Sequence, residues 1–250
     1  MMTKANNLLV STLEEGVLTI CLNRPDKQNA LTNAMYMTMV DIMTQAEAND
    51  AVKVLVLTGE GPHFTAGNDI ADFLAEEKPI EQVGAVVWLR CLSALTKPVI
   101  AQVKGNAVGV GTTCLFHCDL IYSDNTSVFR MPFTHLGLCP EAGVSMLLPR
   151  LIGHHKASEY LLLGSRFSAE EALEMGIINE IVATEALDTR VKDVAQQLAS
   201  LPQESVLETK RLLKRDQESV TDRMDQEFMR FGELLRSDTA KTIFQKFLDH

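Results

Sequence analysis

Two stretches of this chain follow a β-branched run with a glycine-rich turn and then a helical pattern. Residues 54–57 lead into Thr58-Gly59-Glu60-Gly61-Pro62-His63-Phe64-Thr65-Ala66-Gly67-Asn68-Asp69-Ile70. Residues 99–103 lead into Lys104-Gly105-Asn106-Ala107-Val108-Gly109-Val110-Gly111-Thr112-Thr113. Small residues in such turns let a ligand approach the main chain, and a helix start leaves N–H donors without acceptors. Two such donors converging on one oxygen would form an oxyanion hole. The same pattern also serves as plain tight turns, and the turns alone do not separate the two uses.

Other chemistries fit the spacing poorly. Gly109-Val110-Gly111 invites a dinucleotide reading, but Cys114 stands where the third glycine belongs and no suitably spaced acidic strand end follows. Cys114, His117, Cys118 and Asp119 sit in an apolar segment without a second ligand pair, so they read as core rather than a metal site. Gly143-Val144-Ser145-Met146-Leu147 lacks the second glycine of a nucleophile elbow. His135 reads as a hydrogen-bonded structural residue, and Lys210-Arg211-Lys214-Arg215 as a solvated helix face.

The elements that must carry these turns follow from periodicity. Residues 8–12 and 17–22 flank Glu14-Glu15-Gly16 as a hairpin, and Asn23-Arg24-Pro25-Asp26 stops the second strand. Apolar spacing predicts a helix over 32–48, capped by Thr32 or Asn33. Strands are expected at 52–57, 99–103, 120–122, 127–130 and 177–182. Helices are expected at 80–95, 145–151, 154–163, 169–175, 187–201, 203–214 and 220–248. The last is amphipathic and needs an apolar surface to pack on.

Bulk properties set the boundaries of function. Hydrophobic residues are 46% and charged residues 22% of 250, enough for a core without staples. A formal charge of −10 excludes a basic nucleic-acid face. It leaves room for a small anionic ligand held by local Lys side chains and helix starts. Five scattered cysteines read as reduced core thiols. No apolar run reaches a membrane span, and no secretory or peroxisomal address is visible, so the expectation is a cytoplasmic chain without membrane or nucleic-acid partners.

In order along the chain, Leu22-Asn23-Arg24-Pro25-Asp26-Lys27-Gln28-Asn29-Ala30-Leu31, Phe64-Thr65-Ala66-Gly67-Asn68-Asp69-Ile70 and Gly105-Asn106-Ala107-Val108-Gly109-Val110-Gly111 resemble the successive signatures of the crotonase, or enoyl-CoA hydratase/isomerase, superfamily. Residues 133–143 and 169–176 continue the pattern, so the resemblance covers nearly the whole chain. It implies an α/β crotonase fold, a spiral core of ββα units over 1–190 with a helical trimerisation region over 191–250, the two forming one functional unit. It implies a coenzyme A thioester substrate and a homotrimer or dimer of trimers. No metal or redox cofactor is implied, coenzyme A being part of the substrate. The oxyanion donors would be the N–H groups of Asn68 and Val110. Lys27, Ala66, Gly67, Asn68, Asp69, Ile70, Gly109 and Val110 would line the substrate and coenzyme A site, although Asp69 also suits a helix cap.

The departures from the family's hydratases carry the functional expectation. Those enzymes use two glutamates to handle water, and here Thr113 and Phe133 occupy the matching positions. Neither can act as acid or base in adding water. One carboxylate remains, Glu141 in Cys139-Pro140-Glu141-Ala142-Gly143, which resembles the catalytic glutamate loop of peroxisomal-type Δ3,Δ2-enoyl-CoA isomerases. Isomerisation needs one base to move a proton from C2 to C4, and a carboxylate in an apolar pocket suits it. A glutamate at a helix start is also a common structural device. An enoyl-CoA hydratase is the alternative enzyme, and a catalytically silent acyl-CoA or acyl-lysine binding module the alternative of another class. Phe73, Leu74, Val87, Leu115 and Phe133 are expected pocket walls.

Overall fold

The computed structural model describes residues 8–74, 79, 82–214 and 238. The chain divides into two compact units, Met1–Ala199 and Ser200–His250.

In the first unit, β1 (Leu9–Glu14) and β2 (Val17–Leu22) form the expected hairpin, with Glu15 and Gly16 both left-handed at its two-residue turn. The helix α1 (Asn33–Glu47) starts where Thr32 accepts from the Met35 N–H at 3.3 Å, as its sequence pattern predicts. Then follow β3 (Val54–Gly59), α2 (Ile70–Leu74), α3 (Gly84–Ala94), β4 (Val99–Val103), β5 (Asn106–Val108) and the single turn α4 (Val110–Thr113). Next come β6 (Leu120–Asp124), β7 (Val128–Arg130), α5 (Val144–Ile152), α6 (His154–Leu163) and β8 (Arg166–Ser168). The unit closes with α7 (Ala169–Glu174), β9 (Glu180–Val182) and α8 (Thr184–Ser200). A reciprocal Ser168–Glu171 capping box starts α7.

One sheet runs β1-β2-β3-β4-β6-β9, parallel from β2 onward; β5, β7 and β8 make a second, smaller sheet. Parallel strands covered on both faces are apolar throughout, which is why β3 and β4 read as unbroken runs. Leu55 and Leu57 face a core shared with Met35, Met39 and Leu92 of α1 and α3. Val54, Val56 and Ile100 face the opposite way, onto Leu187, Val191 and Ala195 of α8.

In the second unit, α9 (Gln203–Leu213) carries a correction. The Lys210 group was expected on a solvated face, yet Lys210 is 5% exposed, while Arg211 is exposed and pairs with Glu208 at 2.7 Å. The cysteines also depart from the reading as core thiols: Cys114 is buried, but Cys139 is exposed. The tail helix expected over 220–248 lies outside the described residues. Among the described residues, no helix is long and apolar enough to cross a membrane.

Candidate active site

The two glycine-rich turns meet. Phe64, Thr65 and Val108 donate in turn to Lys104, Asn106 and Thr65 carbonyls at 2.7, 3.0 and 3.0 Å, which zips the first turn onto β5. Gly67 has φ +91, and a Cβ built there would lie 2.6 Å from the Val108 carbonyl oxygen, so only glycine allows this approach. Gly109, at φ 56 and ψ −119, reverses the chain so that α4 starts with Val110.

This arrangement leaves two donors available. Leu31 bridges the first turn by donating to the Gly67 carbonyl and accepting from the Asp69 N–H, at 2.8 and 2.9 Å. The N–H of Asn68, between them, therefore points away from Leu31. The N–H groups of Gly109 and Thr112 find carbonyl acceptors, but Val110 is the first residue of α4 and has no carbonyl one turn back to bond. Among the described turn and loop bonds, none uses the N–H of Asn68 or Val110.

The run between β2 and α1 is held by a network of hydrogen bonds. Buried Asn29 accepts from the Arg24 N–H at 2.9 Å and donates to the Glu60 and His63 carbonyls at 3.0 and 2.7 Å. Arg24 donates to the Ala30 carbonyl and pairs with Asp69 at 2.7 Å. Asp69 also accepts from the Ala71 and Asp72 N–H groups, so its carboxylate caps α2 as expected. The Arg24 guanidinium and these N–H groups hold its carboxyl below the ordinary carboxylate range. Lys27 is exposed beside this loop, and Ile70 is 56% exposed at the turn's rim.

Glu141 approaches from the other side. Its carboxylate accepts from the Thr113 hydroxyl at 3.4 Å, three residues along from Val110 on the same helical turn. Burial raises its pKa above 4.5, and the Thr113 hydrogen bond offsets part of that rise. Tyr36 and Cys114, both buried, have pKa values pushed well up by burial and, less strongly, by the Glu141 charge. Phe133 is buried at 7% exposure and Leu115 at 0%, while Val87 is half-buried. The side chains of Phe73 and Leu74 lie outside what is described. A 330 Å³ cavity between the hairpin and α1, lined by residues such as Ser11, Asp41 and Val52, contains none of these groups.

One participant is absent from the sequence reading. The Tyr36 hydroxyl donates a short hydrogen bond to the Asn68 side-chain oxygen, and its ring packs on Trp88 with centroids 5.4 Å apart. An aromatic on the apolar stripe of α1 reads as core, and nothing local marks its hydroxyl as reaching the first turn. His135 is the hydrogen-bonded residue expected, with Nδ1 2.8 Å from the Arg130 guanidinium. Among the described residues, no group of His, Cys, Asp or Glu is placed to hold a metal.

This fold is that of the crotonases, mixed α/β proteins of which solved examples superpose closely. Residues 12–250 match the family described as Enoyl-CoA hydratase/isomerase, and the chain belongs to that family. It is 33% identical over 215 residues to enoyl-CoA delta isomerase 2 of Rattus norvegicus, covering 84% of this chain but only 55% of that protein. It is 36% identical to 1,2-epoxyphenylacetyl-CoA isomerase of Escherichia coli strain K12, covering 78% of this chain and 77% of the relative. A solved structure described as an enoyl-CoA hydratase/carnithine racemase from Magnetospirillum magneticum AMB-1 matches with TM-score 0.95 and 37% identity. The match covers 98% of this chain and 96% of that one.

Proposed function

We propose that the protein is a Δ3,Δ2-enoyl-CoA isomerase in which Glu141 is the only proton shuttle. The observation that carries this reading is a desolvated carboxylate hydrogen-bonded to the same helical turn that offers the Val110 N–H. Glu141 removes a proton from C2 of a 3-enoyl thioester, and the electron pair flows onto the thioester oxygen. The N–H groups of Asn68 and Val110 stabilise that oxygen. The enolate then collapses, the double bond moves from C3–C4 to C2–C3, and Glu141 returns the proton to C4. Thr113 and Phe133 supply no second acid or base, so water is not activated. The relative named enoyl-CoA delta isomerase 2 supports the same direction. Coenzyme A enters as part of the substrate, along the segment from Ala66 to Ile70 with Gly109, and exposed Lys27 faces its phosphates; no further cofactor takes part.

Turnover tests the reading directly. The protein is expected to convert a 3-enoyl-CoA to the 2-trans product far faster than it hydrates that product. Efficient hydration alone would favour a hydratase, and tight acyl-CoA binding without turnover a binding module; either result removes this assignment.

We also propose that the chain works as a trimer or dimer of trimers in the cytoplasm. Leu136, Leu138, Met146, Leu162 and Leu163 are exposed apolar side chains of the first unit, which supports packing against a neighbouring subunit. Light scattering at micromolar concentration is expected to return a multiple of three chains, and a monomer would refute it.

A further inference from the structure

The loop that carries Glu141 is held in an unusual shape. Its carbonyl accepts from the Val144 N–H at 3.0 Å, closing a four-residue turn. Both central residues are left-handed, Ala142 at φ 54 and Gly143 at φ 69. That is the pattern of a type I′ turn, which glycine adopts freely and alanine resists because its Cβ crowds the backbone. Such strain persists only where surrounding contacts over-determine it.

One such contact comes from the helical rod that begins at Val110. A turn of 3-10 helix, Cys114–His117, continues α4 directly. Val110 and Thr113 bracket the single turn α4, and His117 ends the 3-10 turn that follows it. Thr113 meets the Glu141 carboxylate, and the His117 Nε2 lies 2.9 Å from the carbonyl oxygen of Ala142. A carbonyl only accepts, so Nε2 carries the hydrogen. The charged imidazolium has the same N–H there, and the contact is kept in either protonation state.

We infer that His117 is a positioning residue whose hydrogen bond to the Ala142 carbonyl holds the strained turn and so keeps Glu141 against the rod that supplies the oxyanion donor. This rests on Glu141 being the base. Without the bond, Ala142 relaxes toward right-handed backbone and the carboxylate swings away from Thr113. A misplacement of about 1 Å is enough to lose about 10²-fold in rate.

The test uses the full-length enzyme and a 3-enoyl-CoA. His117→Leu is expected to fold, keep KM and lose about 10²-fold in kcat. The acid limb of its kcat profile should move to lower pH, because a carboxylate released toward water loses the burial that raises its pKa. Among the described residues, Tyr36 from α1 and Cys114 from the rod feel the Glu141 charge, and both stay in place in this variant. His117→Gln keeps an N–H donor at a similar reach and should restore most of kcat. Ala142→Gly in the His117→Leu background removes the strain and should recover about 10-fold. A folded His117→Leu enzyme with unchanged kcat and acid limb would overturn the inference. So would equal losses in the Leu and Gln variants with the acid limb unmoved, which would mean packing alone. Glu141→Gln run alongside separates the two readings. If that variant turns over normally, the base assignment fails and takes this inference with it; if it is inactive while His117→Leu is normal, only the positioning role fails.

Discussion

Replacing Glu141 by Gln is expected to reduce turnover of a 3-enoyl-CoA by at least about 10²-fold, the low end for loss of a general base. The amide keeps the shape of the side chain and can still accept the Thr113 hydrogen bond, so acyl-CoA binding measured by calorimetry should change little. What it lacks is the ability to take a proton. In the wild-type enzyme the carboxylate must be ionised to act, and its pKa is raised above 4.5 by burial. Activity should therefore fall as pH drops through that raised value, on the alkaline side of an ordinary glutamate. A Glu141→Gln enzyme that isomerises at the wild-type rate would dispose of the single-base mechanism.

The same burial makes a second, opposite prediction for stability. A carboxylate whose folded-state pKa is raised binds its proton more tightly in the folded chain than in the unfolded one. Stability then declines as pH rises from the unfolded pKa through the folded one, and the penalty is complete above it. At neutral pH the ionised Glu141 costs the fold something that a neutral glutamine does not. Glu141→Gln should thus melt no lower than wild type at pH 7, and its stability should depend less on pH in the window above 4.5. Loss of activity with retained or raised stability is the mark of a group kept for chemistry rather than for packing.

How far this site could be read without coordinates depended on the distance between its parts. The helix α1 was legible to within a residue because its apolar spacing repeats over fifteen residues and Thr32 caps it. The hairpin was legible from Glu15 and Gly16. The strands β5 and β8 were not, since three residues hold too little of a period to detect, while α4 was expected after the second turn but without bounds. The strand β6 runs two residues past its expected end because Ser123 and Asp124 are buried polar residues. Asp124 is satisfied by hydroxyls of Thr126, Ser127 and Thr184, partners that no local pattern reveals. The glycines marked both turns, but not that they touch. Tyr36 and Asn68 meet across 32 residues, and Thr113 and Glu141 across 28; local periodicity carries no record of such contacts. His117 was visible only as a rejected metal ligand, because a bond to a main-chain carbonyl leaves no mark on the partner's identity.

Val110→Pro is expected to raise the barrier by about 3 kcal/mol, the loss found when one oxyanion donor is removed. The substitution deletes a single N–H, and the local structure tolerates it unusually well. Val110 is the first residue of α4, where proline fits because its ring presets a helical φ and no intrahelical bond is lost. The residue before a proline must be extended, with ψ of about +120 to +160° for L-residues. Gly109 sits at ψ −119 and φ 56, the mirror image of that region, which an achiral residue occupies as easily. The side chain at 110 is 1% exposed, and proline returns most of its apolar volume. The melting temperature should therefore move little while kcat falls by two orders of magnitude or more on the ~10²–10³ scale for such donors. Val110→Ala supplies the control, since it empties the side chain but keeps the donor and should lose stability rather than rate. A well-folded Val110→Pro enzyme with normal turnover would show that the thioester oxygen is stabilised elsewhere.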